Sequence, residues 1–187
     1  MTISELPAAS LGTSPLDAVR TMRGLDAVAD DPTLVRAAFG RFPSGVAALA
    51  ARVNGENVGM VASSFSVGVS FAPPLVMFSV QNSSTTWPKL REAREIGISV
   101  LGGNHAEVCL QLASRSRDRF EGLDTHVTED QAILVHDSTM WLQTHILSET
   151  PAGDHHIVLL EVTHLSVEHT IEPLIYQAQR FHGLRTA

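Results

Sequence analysis

The sequence predicts a mainly β protein, a closed or partly open antiparallel barrel with a few short helices. Segments of strand length recur along the 187 residues, and turn-forming pairs such as Asn54-Gly55 separate them. The pattern contains no repeated strand–helix–strand unit. An antiparallel barrel is therefore favoured over a doubly wound parallel sheet.

Composition excludes several classes of function. Hydrophobic residues make up 44% of the chain, which excludes a disordered protein, and the net charge of −7 argues against nucleic acid or an anionic membrane as the main partner. The single cysteine, Cys109, excludes an intrachain disulfide and suits a reducing cytoplasm. No apolar run approaches the roughly 18 residues of a membrane span. The N-terminus lacks the basic start and apolar core of a secretory signal.

The chain divides into an arm and one folded domain. Residues 1–30 are rich in Ser, Thr, Ala and Asp and are predicted to form a flexible N-terminal arm, and residues 31–187 are predicted to form the domain. Asp31-Pro32 suits a helix N-cap followed by the first helical position. The predicted helix ends at Pro43.

A hairpin follows this helix. Val46–Val53 is predicted as its first strand, and Val58–Ser70 as the returning strand. From Phe65 to Phe71 the side chains alternate, with a predicted buried apolar face and an opposite face of Ser and Gly. The small polar face leaves backbone groups accessible to a flat hydrogen-bonding ligand. A small-residue strand packed under another element explains the same pattern.

Hydroxyl side chains cluster before the next helix. Leu75–Val80 is predicted as a buried strand, and a helix is predicted from Trp87-Pro88 to about Glu95. Ser83 to Thr86 place four hydroxyls beside the backbone N–H groups of the helix start, where a phosphate could bind. Simple capping needs one hydroxyl, so the run favours an anion site.

Three arginines lie within five positions, at Arg115, Arg117 and Arg119. Such a run is usually a solvated surface, but in an acidic chain it could also hold a phosphate or pyrophosphate. The other predicted elements are strands at Ile96–Val100, Trp141–Ser148, His156–Leu165 and Leu174–Gln177, a helix from Asn104 to Ala113 and a turn at Pro151–Asp154.

The nine histidines show no metal-ligand spacing, so no metal site is predicted. His155 differs from the others because it enters a strand from a Gly-Asp-His turn, where it could donate to a ligand or simply shape the turn. Cys109 lies among Val108, Leu110 and Leu112 in a predicted helix and is interpreted as a small buried residue. The sequence contains no GxGxxG, P-loop or GxSxG motif.

Six segments in order and spacing resemble the flavin reductase family: RAAFGRFPSGV, GMVASSFSVGVSFAPPLVMFSV, NSSTTWPKLREA, LASRSRDRFEG, AGDHHIVLLEV and PLIYQAQRF. The resemblance spans about Asp31 to Phe181 and implies an FMN-binding split β-barrel of antiparallel strands with short flanking helices. It further implies a homodimer, FMN or FAD bound near the subunit interface, NADH or NADPH as reductant, and a separate flavin-dependent monooxygenase that receives reduced flavin by diffusion.

The resemblance also implies roles for individual residues. Pro43, Ser44, Gly45 and Val46 match the segment beside the flavin ring, and Met60, Val61, Ala62, Ser63, Ser64 and Phe65 match the strand at its pyrimidine edge. Asn82, Ser83, Ser84 and Thr86 match the phosphate-binding turn, and Ser114, Arg115, Arg119 and Phe120 match the loop over the ribityl and phosphate end. His155 matches the nicotinamide-nucleotide histidine, and Tyr176 and Phe181 match the C-terminal aromatics.

The expected activity is an NAD(P)H:flavin oxidoreductase, in which a hydride passes from nicotinamide C4 to flavin N5. Two alternatives stay open: a flavin-binding carrier or sensor without turnover, and a flavoenzyme that acts directly on a small organic substrate. Three departures from the family bear on nucleotide preference and on the substrate slot. Pro43-Ser44 stands in place of Ala-Thr, Gln177–Gln179 lacks the usual glycine, and Phe181 replaces a tyrosine.

Overall fold

The computed structural model describes residue 28 and residues 32–184, so the predicted N-terminal arm lies outside the described residues except for Val28. The fold is mainly β and antiparallel with a few short helices, which confirms the predicted class. The helices are α1 (Pro32–Phe39), α2 (Trp87–Leu90) and α3 (Ala106–Leu112). The strands are β1 (Ser44–Gly45), β2 (Ala47–Val53), β3 (Glu56–Ala62), β4 (Ser66–Phe71), β5 (Pro74–Gln81), β6 (Ile96–Val100), β7 (Thr125–Val127), β8 (Ile133–Val135), β9 (Met140–Ala152), β10 (His155–Val167), β11 (Ile175–Gln177) and β12 (Arg180–His182).

Seven strands form the main sheet, in the order β3-β2-β6-β9-β10-β5-β4, and every pair in it is antiparallel. A three-stranded sheet, β1-β11-β12, and a β7-β8 pair complete the fold. The predicted hairpin turn is confirmed, since Asn54 and Gly55 join β2 to β3 with φ angles of 51° and 84°. No helix within residues 32–184 is long and apolar enough to span a membrane.

Strand β2 is buried on both faces because successive side chains enter two different cores. Leu49 points into the main core, where it joins Phe78, Ile98 and Leu160 from other strands of the main sheet. Ala48 points into a second core, which also contains Cys109 and Leu112 of α3 and reaches the three-stranded sheet through Leu174 and Tyr176. The main sheet therefore separates two packed layers.

The prediction of one strand over Val58–Ser70 is wrong. The segment forms β3 and β4, which lie at opposite ends of the strand order and are joined by a β3–β4 bend at residues 63–65. Of the apolar face predicted to be buried, Phe65 packs against the main core, but Val67, Val69 and Phe71 are 56%, 42% and 89% accessible. β4 is an edge strand whose pairing with β5 is irregular between Ser66 and Ser70, and residues 32–184 leave its apolar side chains exposed.

Four further predictions differ from the structure. Helix α1 ends at Phe39 rather than at Pro43. Helix α2 ends at Leu90 rather than near Glu95. The backbone N–H groups of Glu92 and Ala93 donate to carbonyls three residues earlier, in turns that bring the chain back to β6. Helix α3 is capped by His105 rather than by Asn104. The sequence pattern missed β7, β8 and β12, which are three residues long each. Such short strands offer too few residues for a periodic signal.

Candidate functional site

A cavity of about 530 Å³ opens where β3 ends, a size typical of small-molecule sites. One side of it is formed by the end of β3, the β3–β4 bend and the outward face of β5. The turn before α2, the C-terminal end of α3, two arginines of the following loop and the first residue of β10 complete it. Segments far apart in sequence therefore converge on one opening.

The structure brings part of the sequence-predicted set together around this cavity. The predicted residues that line it are Met60, Val61, Ala62, Ser63, Ser64, Ser83, Ser84, Thr86, Arg115, Arg119 and His155. The predicted residues that do not line it are Pro43, Ser44, Gly45, Val46, Phe65, Asn82, Ser114, Phe120, Tyr176 and Phe181.

Six lining residues were not predicted, namely Ser79, Val80, Gln81, Thr85, Leu112 and Ala113. A signal was available for some of them. Thr85 lies inside the hydroxyl run, and Ser79 and Gln81 alternate with the buried residues of β5. Leu112 and Ala113, at the end of α3, could not have been predicted from their chemistry. They line the cavity only because the chain passes beside it.

The turn at residues 83–86, called the hydroxyl turn below, presents two hydroxyls whose oxygens already accept hydrogen bonds. The backbone N–H of Trp87 donates to Ser84 Oγ at 3.1 Å, and Arg119 Nη1 donates to Thr86 Oγ1 at 2.8 Å. A hydroxyl that accepts in this way keeps its own hydrogen for another acceptor. Both side chains can therefore donate to an anion in the cavity. Helix α2 spans only four residues, so these hydroxyls carry the site rather than a helix dipole.

Arg119 ties the loop, strand β3 and the hydroxyl turn together. Its Nε donates to Ser114 O at 2.7 Å, and its Nη1 donates to Gly59 O at 2.6 Å as well as to Thr86. Within residues 32–184 it forms no ion pair with a carboxylate, and it is partly buried. A fixed and uncompensated guanidinium at the cavity wall is complementary to an anionic group.

The β3–β4 bend presents only the small side chains of Ser63 and Ser64 to the cavity, since Phe65 packs against the main core. The β2–β3 ladder ends at Ala62, and the β4–β5 ladder begins at Ser66, so the backbone between them is outside both ladders. Ser64 replaces a strand partner here: its hydroxyl donates to Ser79 O at 2.9 Å and accepts from Ser79 N–H at 3.0 Å. In the described part of the chain the hydroxyl of Ser63 forms no hydrogen bond, although it lines the same cavity.

His155 stands at the rim of the cavity, opposite Gln81 in the β5–β10 register. Its Nδ1 lies 2.7 Å from Asp154 Oδ1. The hydrogen bond from His155, together with its charge, lowers the pKa of the Asp154 carboxyl. Asp154 therefore accepts as a carboxylate and His155 Nδ1 donates, which fixes the ring orientation and leaves Nε2 as its second polar atom.

A second group of predicted residues lies in the three-stranded sheet rather than at the cavity. Ser44 pairs with Tyr176 across β1 and β11, and the rings of Tyr176 and Phe181 lie 5.5 Å apart. Both rings pack against the second core. The hairpin turn between them holds Ala178 and Gln179 at φ angles of 49° and 61°, a conformation that favours glycine.

The single cysteine is structural. Burial raises the pKa of the Cys109 thiol to about 11, so the thiol is protonated at neutral pH. Its position in the second core agrees with the interpretation as a small buried residue. Among the described residues, no group of three His, Cys, Asp or Glu side chains is arranged to hold a metal ion.

Comparison with known proteins identifies the family. Residues 39–185 match the flavin reductase like domain. The chain belongs to this family. It is 35% identical over 154 residues to a flavin reductase of Pseudomonas putida, covering 82% of this chain and 90% of that protein. It is 32% identical over 161 residues to the actinorhodin polyketide dimerase of Streptomyces coelicolor, covering 86% and 90%.

A solved relative with bound ligands has the same fold. The structure of the Streptomyces globisporus NADH:FAD oxidoreductase in complex with NAD and FAD fragments superposes with a TM-score of 0.77 at 30% identity, covering 84% of this chain and 93% of that one. The family resemblance predicted from the six sequence segments is thus confirmed. The cavity of this family member combines a bare backbone wall with anion donors, which fits a flat ring joined to a phosphate.

Proposed function

We propose that the protein is an NAD(P)H:flavin oxidoreductase that binds FMN or FAD in this cavity and uses NADH or NADPH as reductant. The observation that carries the proposal is the anion site made by Ser84, Thr86 and Arg119, where two hydroxyl hydrogens and an unpaired guanidinium face the cavity. FMN and FAD both place a phosphate at the end of a ribityl chain. The bare β3–β4 bend beside this site leaves space for a flat ring.

Within this proposal the side chains bind and orient and do not carry protons. When bound, a flavin would supply the redox chemistry as the acceptor of a hydride from the nicotinamide nucleotide. Arg119, Thr86 and Ser84 hold the phosphate, and the backbone and hydroxyl of Ser63 meet the edge of the ring. His155 at the rim orients the nicotinamide nucleotide. The roles of the residues in the three-stranded sheet stay predictions.

We also propose that reduced flavin leaves by diffusion for a separate flavin-dependent monooxygenase and that the protein is a homodimer. The apolar face of β4 supports the dimer, because Val67, Val69 and Phe71 are between 42% and 89% exposed. Helix α1 also exposes two apolar side chains, Leu34 and Phe39, and has no buried residue of its own. The cytoplasmic location predicted from cysteine usage stays a prediction.

The test is oxidation of NADH and of NADPH by the purified protein, each with added FMN and with added FAD. Turnover that rises with free flavin and saturates is expected for at least one of the four pairings, and the preferred pairing names both cofactors. Tight flavin binding without turnover in any pairing would identify a carrier or sensor instead.

The similarity to a polyketide dimerase supports a second candidate, a flavoenzyme that acts directly on a small organic substrate. In that case the flavin stays bound through the reaction. Nucleotide oxidation would then require an aromatic polyketide-like substrate and would not increase with free flavin. Measuring turnover over a range of free FMN concentrations, with and without such a substrate, separates the two functions.

A further inference from the structure

Asn82 lies between the hydroxyl turn and the β9–β10 turn that carries His155. Strand β5 ends at Gln81, opposite His155, so Asn82 is where the chain leaves the sheet for the hydroxyl turn. Its side chain does not line the cavity, although both neighbours, Gln81 and Ser83, do. Asn82 is therefore placed to join the two sites rather than to contact a ligand in the cavity.

Three hydrogen bonds connect Asn82 to the β9–β10 turn. Its backbone N–H donates to Asp154 O at 3.0 Å, its Nδ2 donates to Gly153 O at 3.3 Å, and its Oδ1 lies 2.7 Å from His156 Nδ1. A carbonyl oxygen can only accept, so Gly153 fixes the amide orientation, and His156 Nδ1 is then the donor to Oδ1. The three contacts flank His155 on both sides.

We propose that Asn82 is a positioning residue for the nicotinamide nucleotide: it holds the β9–β10 turn, and with it Asp154, which orients the His155 ring. The family resemblance had grouped Asn82 with the phosphate-binding turn. In the structure its side-chain hydrogen bonds go to Gly153 in the β9–β10 turn and to His156 in β10, and none goes to Ser84, Thr86 or Arg119. The inference rests on the proposed function, in which His155 orients the nicotinamide nucleotide.

The sheet already holds the backbone of His155 through Gln81 and Ala152, so Asn82 can act only on the turn and on the His155 ring that Asp154 orients. Gly153 adopts a φ of 65° in a two-residue connection, and Gly153, Asp154 and Asn82 are all exposed. Loss of the Asn82 side chain should therefore shift the turn locally without unfolding the protein. A change in the orientation of the His155 ring would change the affinity for nucleotide while leaving the hydroxyl turn able to bind flavin phosphate.

The test is a double-mutant cycle on steady-state oxidation of NADH, or of NADPH if the wild type prefers it, at saturating FMN. Asn82→Ala is expected to raise the nucleotide KM about three- to tenfold, because a misoriented His155 ring contacts the nucleotide less well, and to change the FMN KM less than about twofold. In the His155→Ala background, Asn82→Ala should add no further effect, because Asn82 acts through His155. Asn57→Ala, an exposed asparagine bonded only to Arg52, is the control.

His156→Ala is a second variant that removes one of the three contacts and should raise the nucleotide KM less than Asn82→Ala does. The inference is overturned if Asn82→Ala changes the FMN KM instead, changes neither KM, or adds to His155→Ala. A wild type without turnover, or a His155→Ala variant with a normal nucleotide KM, overturns the proposed role of His155 and this inference with it. An unchanged Asn82→Ala beside an impaired His155→Ala overturns the inference alone.

Discussion

The hydroxyl turn and the β3–β4 bend form two walls of one cavity, but different interactions hold them in place. The hydroxyl turn is held by side chains, with Arg119 reaching it from another loop and Ser84 accepting a hydrogen bond from the N–H of Trp87, the first residue of α2. The bend is held mainly by Ser64, whose hydroxyl takes the place of a strand partner for Ser79. One wall therefore offers charge and hydroxyl donors, and the other offers shape and exposed backbone.

This difference separates the two walls experimentally, because riboflavin has the flavin ring but lacks the phosphate of FMN. A change in the hydroxyl turn should weaken FMN binding and affect riboflavin little. A change in the bend should affect both flavins alike.

Arg119→Ala should have the largest effect on this comparison. It removes a charged donor from the proposed phosphate site, and affinity for FMN should fall about 10- to 100-fold, as expected for charge-assisted hydrogen bonds. Riboflavin affinity should change less than about threefold, as measured by fluorescence titration.

Thr86→Val should show the same selectivity for FMN over riboflavin to a lesser degree, and this variant keeps the loop arginine. Arg117→Ala, in the same loop but outside the cavity lining, is the control. Equal losses for both flavins would contradict the assignment of the walls.

Phe71→Asp should convert the proposed homodimer to a monomer, measured by sedimentation at several concentrations. The bend joins a buried strand, β3, to the exposed strand β4, and Phe71 is 89% accessible in the single chain. Placing a charge in an apolar interface costs free energy that the dimer alone would lose. Leu110→Asp, on an exposed apolar residue of α3, is the control and should keep the wild-type state. An unchanged assembly with Phe71→Asp would show that β4 is not the interface.

Ser64→Ala and Ser63→Ala should separate support of the bend from contact with the ring. Ser64→Ala loses both bonds to Ser79 and should lower the free energy of unfolding by about 1 kcal/mol in chemical denaturation. Ser63→Ala should leave stability within about 0.5 kcal/mol and weaken FMN and riboflavin equally. The opposite pattern, with Ser63 needed for stability and Ser64 for affinity alone, would reverse these roles.

The smallest expected effect concerns pH and the far end of α3, whose last turn reaches the cavity. Burial lowers the pKa of His105 below its ordinary value of 6.5, and the charge of Asp137 opposes this shift. The unfolded chain then binds more protons than the native protein, so this contribution to stability is present above about pH 6.5 and falls as the pH drops through the native pKa. His105→Asn keeps a side-chain acceptor near Gly102 N–H, to which His105 Nδ1 is bonded. This variant should flatten the decline in denaturation midpoints below pH 6.5.

The fold class and the hydroxyl turn of the cavity could be predicted from the sequence. The Asn54-Gly55 turn and the apolar run of β5 are local signals, and local signals survive without knowledge of neighbours. The hydroxyl run was visible for the same reason. Its detailed chemistry was not, because the partner that polarises Thr86 is Arg119, 33 positions away along the chain.

A different physical reason explains why the exposure of the apolar face of β4 and the hydrogen bonds of Asn82 could not be predicted. Alternation groups Val67 with Phe71, but whether that face is covered depends on strands or subunits elsewhere in the assembly. Asn82 stands in a run of polar residues that suggested ligand contact. Its bonds go instead to Gly153 and His156, more than 70 positions later, and only the β5–β10 register brings them together.

The most direct measurement is a crystal structure of the protein with FMN bound. The proposed site predicts that the phosphate lies within hydrogen-bond distance of the Ser84 and Thr86 hydroxyls and of Arg119, with the ring against the β3–β4 bend. A phosphate held elsewhere, such as at Arg117 on the outside of the loop, or a ring away from the bend, would contradict the account of this cavity.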